Sequence, residues 1–204
     1  AWPQALQVSD AEVSAAVTPV TDDETFGQSE PAADRLAADI GTLVHRYLEW
    51  VAQDGLAQWD AQRIDSLNSV MRIWLQNQGN DLAQSERAAA TVQQQLRTTL
   101  ACESGRWLLA SHPDAGSEVP LSSVHDGIVR SHVVDRTFVD QGVRWIIDYK
   151  TTQTPIAPGP SGERQAVQAY REQLLRYQRL YVGREPVRLG VFFTHHGRLL
   201  TVED

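Results

Sequence analysis

Cysteine, methionine and lysine each occur once in this sequence, as Cys102, Met71 and Lys150. One thiol cannot close an internal disulfide, build a zinc site from several cysteines, or hold a four-cysteine iron–sulfur cluster. Any metal must therefore bind through oxygen and imidazole. The same scarcity fits a reducing, cytoplasmic setting. Long apolar runs are missing too. The longest stretch free of Asp, Glu, Lys and Arg is Thr151 to Gly162, twelve residues interrupted by proline. A bilayer span needs roughly 20 mainly apolar residues, so no membrane partner is expected. Nor does a basic-then-apolar leader open the chain. Its start, Ala1-Trp2-Pro3, without methionine, reads as a piece of a larger polypeptide.

What is present is ordinary in bulk. The 204 residues are 42% hydrophobic and 22% charged, enough apolar matter for a packed core. The net charge of −8 argues at first against a nucleic-acid partner. Its distribution reverses that impression. Residues 1–40 hold eight acids and one base, a net of −7, which leaves −1 for all the rest. Arg164 to Arg198 carries seven arginines against Glu172 and Glu185, a local +5. Such a stretch can follow a phosphate backbone on an acidic molecule, or be a salt-bridged helix face.

Residues 1–33 mix acids, Ser, Thr and proline without periodicity and read as an acidic linker or docking arm, held through Trp2 or Phe26. One domain is expected over 34–204, mainly helical over 34–110, with a sheet core and one long helix over 117–204. Leu36, Ile40, Val44, Tyr47, Leu48 and Val51 recur at helical steps. Further helices are expected over Gln58–Gln78 and Gln84–Ala101, with Gly105 beyond the end of the latter. Trp50, Trp59, Trp74 and Trp107 read as helical core. Short β-branched or aromatic segments follow at Glu118–His125, Ile128–Asp140 and Val143–Thr151. A Pro/Gly loop spans residues 155–162, a helix Glu163–Val182, and a closing hairpin Val187–His195 and Arg198–Glu203. The sum is an α/β (α+β) fold around a mixed sheet.

The segment Val129–Lys150 concentrates the chemistry. A two-residue turn at Gln141-Gly142 pairs Asp140 with Val143, and counting outward sets Asp135 opposite Asp148. Opposed residues have Cβ atoms about 4.5–5.5 Å apart, so two carboxylates there call for a cation or a shared proton. Strand alternation turns Asp148 and Lys150 to the face of Asp135, and Ile147 and Tyr149 to the other. Two carboxylates and an ammonium on one patch suit a Mg2+ ion and developing phosphate charge, or else make a charged, solvent-facing hairpin.

Asp135, then Asp148-Tyr149-Lys150-Thr151, resembles the metal-binding core of PD-(D/E)XK nucleases. More narrowly it is similar to the RecB-type nuclease domain at the C-terminal end of bacterial helicase–nucleases such as RecB, AddA and AdnAB. Two flanking motifs match in order: Gly41-Thr42-Leu43-Val44-His45 resembles the family's G-x-x-x-H helix, and Gln173-Leu174-Leu175-Arg176-Tyr177 its Q-x-x-x-Y helix. Gly41, a turn before His45 on the same face, would let helix and sheet approach closely. Where the family usually has glycine, three residues before the first Asp, this chain has His132, whose imidazole would crowd DNA or a neighbouring strand. His125, His195 and His196 match nothing and read as surface or strand histidines.

The resemblance implies a restriction-endonuclease-like core, αβββαβ, with an added N-terminal helical region. It implies Mg2+, with Mn2+ as substitute, held by His45, Asp135, Asp148 and the carbonyl of Tyr149, and no iron–sulfur cluster. Asp135, Asp148 and Lys150 would be catalytic, with Gln173, Tyr177, Thr151, Arg176 and Glu118 supporting the site or binding substrate. Arg171 and Arg179 would join Arg176 along the strand. The implied partners are DNA fed as a single strand, UvrD-like helicase domains of the parent chain, and a second helicase–nuclease subunit. The implied role is double-strand-break repair and recombination. The alternative is a nuclease-like domain kept for DNA binding or subunit contact, without turnover.

Overall fold

The computed structural model describes the backbone of residues 32–125 and 128–202 and the side chains of 33–123 and 129–202. The acidic arm, with Trp2 and Phe26, lies outside the described residues except for its last two positions. Helix α1 (Ala32–Asp54) forms where the apolar stripe ran, and it buries Leu43, Val44, Tyr47, Leu48 and Val51. The next expected helix is broken. A 3-10 turn at Leu56–Gln58 gives way to α2 (Ala61–Ser66) and α3 (Asn68–Asn77). Asp60 is the reason, because its carboxylate accepts the Arg63 amide at 2.7 Å and restarts the helix as an N-cap. Helix α4 (Leu82–Ala101) starts at a capping box: Asp81 accepts the Gln84 amide and Gln84 accepts that of Asp81.

Gly105 follows the end of α4, as expected, and lies inside a further helix, α5 (Glu103–Leu109). A Cβ there would stand 2.1 Å from the Thr99 carbonyl oxygen, so α5 can fold back on α4 only over glycine. Among the tryptophans, Trp59 is buried and Trp74 and Trp107 are half-buried, whereas Trp50 is 42% exposed and no core residue.

Five strands follow the order β1-β2-β3-β4-β5: β1 (Gly116–His125), β2 (Ile128–Asp140), β3 (Val143–Lys150), β4 (Val187–Phe193) and β5 (Arg198–Val202). β3 and β4 pair in parallel and the other neighbours antiparallel, a mixed sheet as expected. Gln141 and Gly142 both take positive φ, 48° and 77°, as a two-residue hairpin turn of the right twist requires. The helix expected over Glu163–Val182 is two helices, α6 (Gly159–Gln168) and α7 (Arg171–Leu180). A Tyr170 amide to Val167 carbonyl bond tightens the end of α6 and re-aims the chain. The Pro/Gly loop is shorter than expected, since Pro158 caps α6 and Pro160 sits in its first turn, where a missing N–H costs nothing.

The sheet lies between two helical layers. Ile147, Tyr149, Phe138 and Phe192 pack under α1, α3, α4 and α5, while Ile146, Val191 and Phe193 pack with Val167, Leu174 and Tyr177 of α6 and α7. Side chains of β3 alternate between these cores as a pleat demands. Those of β2 do not. Phe138 faces the first core and Arg136 donates to the Leu108 and Ala110 carbonyls of α5 and its cap, yet Val134 lies in the second core. The strand turns over between them, at Asp135.

Candidate active site

Asp135 stands where the sheet forks. The β2–β3 register is the one obtained by counting from the turn, with Phe138 opposite Trp145 and Arg136 opposite Ile147. The ladder stops there, one step before the position at which Asp135 would stand opposite Asp148. On the other side, the β1–β2 ladder skips one position between Arg136 and Val134. Its missing partner is Glu118, a non-glycine residue at φ 50°. The Asp135 carboxylate replaces what the fork removes: its Oδ2 accepts the Tyr149 amide at 2.6 Å.

Helix α1 brings His45 to this fork, with Nδ1 3.4 Å from Asp135 Oδ1 and its ring edge-on to Tyr149. Ligand atoms of His45, Glu118 and Asp135 lie within 4.8 Å of one another. His45 and Glu118 line a cleft of about 620 Å3 together with Gly41, Glu49, Tyr149 and Lys150. The tight approach expected at Gly41 is looser, since a Cβ would meet Thr151 Oγ1 at an ordinary 3.5 Å. Burial works against charge on His45, but Asp135, Asp148 and Glu118 outweigh it and raise the imidazole pKa above 6.5. Glu118 reaches solvent on one side. Partial burial of the other, then the charge of Asp135, lift its carboxyl above 4.5, with His45 opposing.

Asp148 lies outside that triplet, deeper in the sheet. Burial, then the nearby charge of Asp135, push its carboxyl up to about 6, although Lys150 and His45 pull it down. Its Oδ2 is 3.0 Å from the Lys150 ammonium, out of line for a hydrogen bond. Its Oδ1 accepts from Gln173 Nε2 at 3.2 Å, and the same amide donates to Tyr177 Oη at 2.7 Å. The Q-x-x-x-Y helix therefore braces Asp148, and Lys150 only through it. The ammonium also rests 4.7 Å from the centre of the Tyr170 ring. Arg171 and Arg176 are half-buried and Arg179 is exposed on α7.

These residues fit a divalent cation. The donor set is one imidazole and several carboxylates, and the buried Asp148 Oδ2 receives no hydrogen bond among the described residues. Burial and the charge of Asp135 raise the carboxyls of both Asp148 and Glu118, a repulsion that a bound cation would relieve.

Two residues escaped the sequence. Gln95, fully buried in α4, donates to the Thr151 carbonyl at 3.2 Å and accepts from the Thr194 hydroxyl. Thr194 in turn donates its amide to the Lys150 carbonyl at 3.0 Å, and its single hydroxyl hydrogen is shared between that carbonyl and the Gln95 oxygen. Together they pin the end of β3, which carries Lys150. Nothing in a polar, Gln-rich helix marks which glutamine faces inward. His132 enters no cleft: it is 3% exposed, with Nε2 3.1 Å from Ser123 Oγ and its ring edge-on to Tyr177. His195 and His196 are half-buried just past β4, and the side chain of His125 lies outside the described residues.

A mixed sheet between helical layers, with acids and an imidazole at its fork and a lysine two residues past the second aspartate, is the restriction-endonuclease-like α/β fold of a nuclease domain. The chain belongs to the PD-(D/E)XK nuclease superfamily, whose family profile matches residues 23–199. A search of curated proteins found no match. Nucleases of this superfamily generally use divalent metals. No helix of the described residues is long and apolar enough to cross a membrane.

Proposed function

We propose that this chain is a Mg2+-dependent DNA nuclease domain of the RecB type, carried by a UvrD-like helicase–nuclease that acts in double-strand-break repair and recombination. The observation that carries the reading is the meeting of His45, Glu118 and Asp135 beside one cleft that His45, Glu118 and Lys150 line. His45, Asp135, Asp148 and the Tyr149 carbonyl would hold the metal, with Glu118 a further donor that the geometry favours. A divalent cation bound there supplies Lewis acidity, polarising a phosphodiester and acidifying water.

The chain's own groups do the rest. Lys150, steadied by Asp148 and the Tyr170 ring, orients the attacking water or offsets charge as the phosphate gains it. Gln173 and Tyr177 keep Asp148 facing the fork. Arg171, Arg176 and Arg179 hold phosphates without reading sequence. The reading without turnover drew its support from His132 and the acidic arm; the His132 side chain is buried away from the cleft, and all but the last two positions of the arm lie outside the described residues.

Linear single- and double-stranded DNA incubated with the chain and Mg2+ or Mn2+ tests the proposal, beside Lys150→Ala, Asp148→Ala and His45→Ala. The expected outcome is metal-dependent degradation that all three substitutions abolish. Degradation that survives Lys150→Ala and Asp148→Ala would refute it, as would inertness of both this chain and its full-length parent.

A further inference from the structure

Beside the cleft, on the far side of Tyr170, lies a second pocket of about 310 Å3. We propose that it receives one unpaired nucleobase of the strand whose phosphate sits at Lys150. The proposal rests on the nuclease reading and deepens it, because it makes the substrate single-stranded or frayed at the point of cleavage.

Four observations converge. The pocket and the site share a wall: the Tyr170 ring lines the pocket and holds the Lys150 ammonium 4.7 Å from its centre. The division of charge matches a nucleotide's. No lining residue among those described carries a charge, so the pocket offers nothing to offset the desolvation of a phosphate, while the ammonium next door attracts one. Its surfaces suit a base of any identity. Tyr170, Pro155 and Ile156 present flat or apolar faces, and Thr152, Thr154 and Gln165 present hydroxyls and an amide. Its size is at the lower end of small-ligand pockets, roughly 300–1,000 Å3, which suits one ring system and not a duplex.

The pocket is also built in advance. Gly162 lets α6 approach the loop so closely that a Cβ would stand 2.1 Å from the Ala157 carbonyl oxygen. The wall is tied by the Thr154 amide to Thr152 Oγ1 at 3.2 Å and by His196 Nε2 to the Thr154 carbonyl at 2.9 Å. A preformed, uncharged slot one ring away from a phosphate-binding lysine loses little on closing over a base.

The test steps a single abasic residue along a single-stranded oligonucleotide and measures cleavage by the whole chain with Mn2+, bond by bond. Loss of the base at one fixed offset from the cut bond is expected to lower kcat/KM roughly ten-fold. Ala157→Trp, which fills the pocket from an exposed position, and Ile156→Asp, which charges it, are expected to impose the same loss on the intact strand and none on the abasic one. 2-Aminopurine at the sensitive position reports stacking without turnover: its fluorescence is quenched on binding to the unsubstituted chain and not to Ala157→Trp. Cleavage indifferent to abasic position overturns the base pocket and leaves the nuclease reading intact. Unaltered quenching in a folded Ala157→Trp chain overturns it as well. A chain and parent that cleave no DNA at all overturn both.

Discussion

Replacing Asp148 by asparagine should make the metal-free protein more stable while destroying its activity. The buried carboxyl has its pKa moved from 3.8 to about 6, chiefly by burial and then by Asp135. That displacement corresponds to about 3 kcal/mol of strain on the ionised folded state. Asparagine removes the charge and keeps an oxygen for Gln173 to donate to. It deprives Lys150 of its carboxylate, but the displaced pKa already includes that attraction, and the ammonium retains Tyr170. The gain is about 3 kcal/mol at neutral pH, or roughly 6–12 °C in Tm for a chain of this length.

The pH dependence carries the sign. The folded pKa lies above the unfolded one, so the folded state holds the extra proton. The stability from that proton is complete below about pH 4 and is lost as pH rises through about 6. Wild type and Asp148→Asn should therefore melt together near pH 4 and diverge above pH 6, with the variant higher. Thermal unfolding followed by circular dichroism, with a chelator present, reads this directly. A gap that is flat across pH, or a variant less stable at neutral pH, refutes the reasoning.

Glu118→Gly should release the cost of a left-handed backbone, raising stability by about 1 kcal/mol, while Mn2+ binding by calorimetry weakens several-fold. Gln95→Leu should strip partners from the Thr151 carbonyl and the Thr194 hydroxyl and cost about 2 kcal/mol in urea unfolding. It should also lower kcat, with Gln95→Glu restoring part of it at low pH, where the added carboxyl is protonated. Leu75→Ala, fully buried and remote from the cleft, should cost about 3 kcal/mol yet leave kcat unchanged well below its Tm, the control that separates positioning from mere destabilisation.

Local chemistry made much of the site legible. A turn of two residues with positive φ sets its own register, so the pairing of β2 with β3 as far as Arg136 and Ile147 followed from counting. The period of two then assigned Asp148 and Lys150 to one face of β3, whereas His45 was picked out by the resemblance of its helix to the G-x-x-x-H motif. Where the account failed, competing local signals were weak. A capping aspartate at position 60 outranked an apolar repeat, and a tightened turn at Tyr170 split a helix whose sequence shows no glycine or proline there. The arm over residues 1–31 lies outside the described residues.

By itself the sequence determined most of the elements and the hairpin register, because pleat, helical period and turn chemistry act over a few neighbours; the candidate metal ligands came from the family resemblance. The tertiary structure decided the rest. Only packing from both sides makes β2 turn over at Asp135, holds Glu118 at a backbone angle it would not choose alone, and draws Gln95 inward to secure Lys150. Such strain persists only when contacts distant along the chain outweigh local preference, and a reading of neighbours does not contain those contacts.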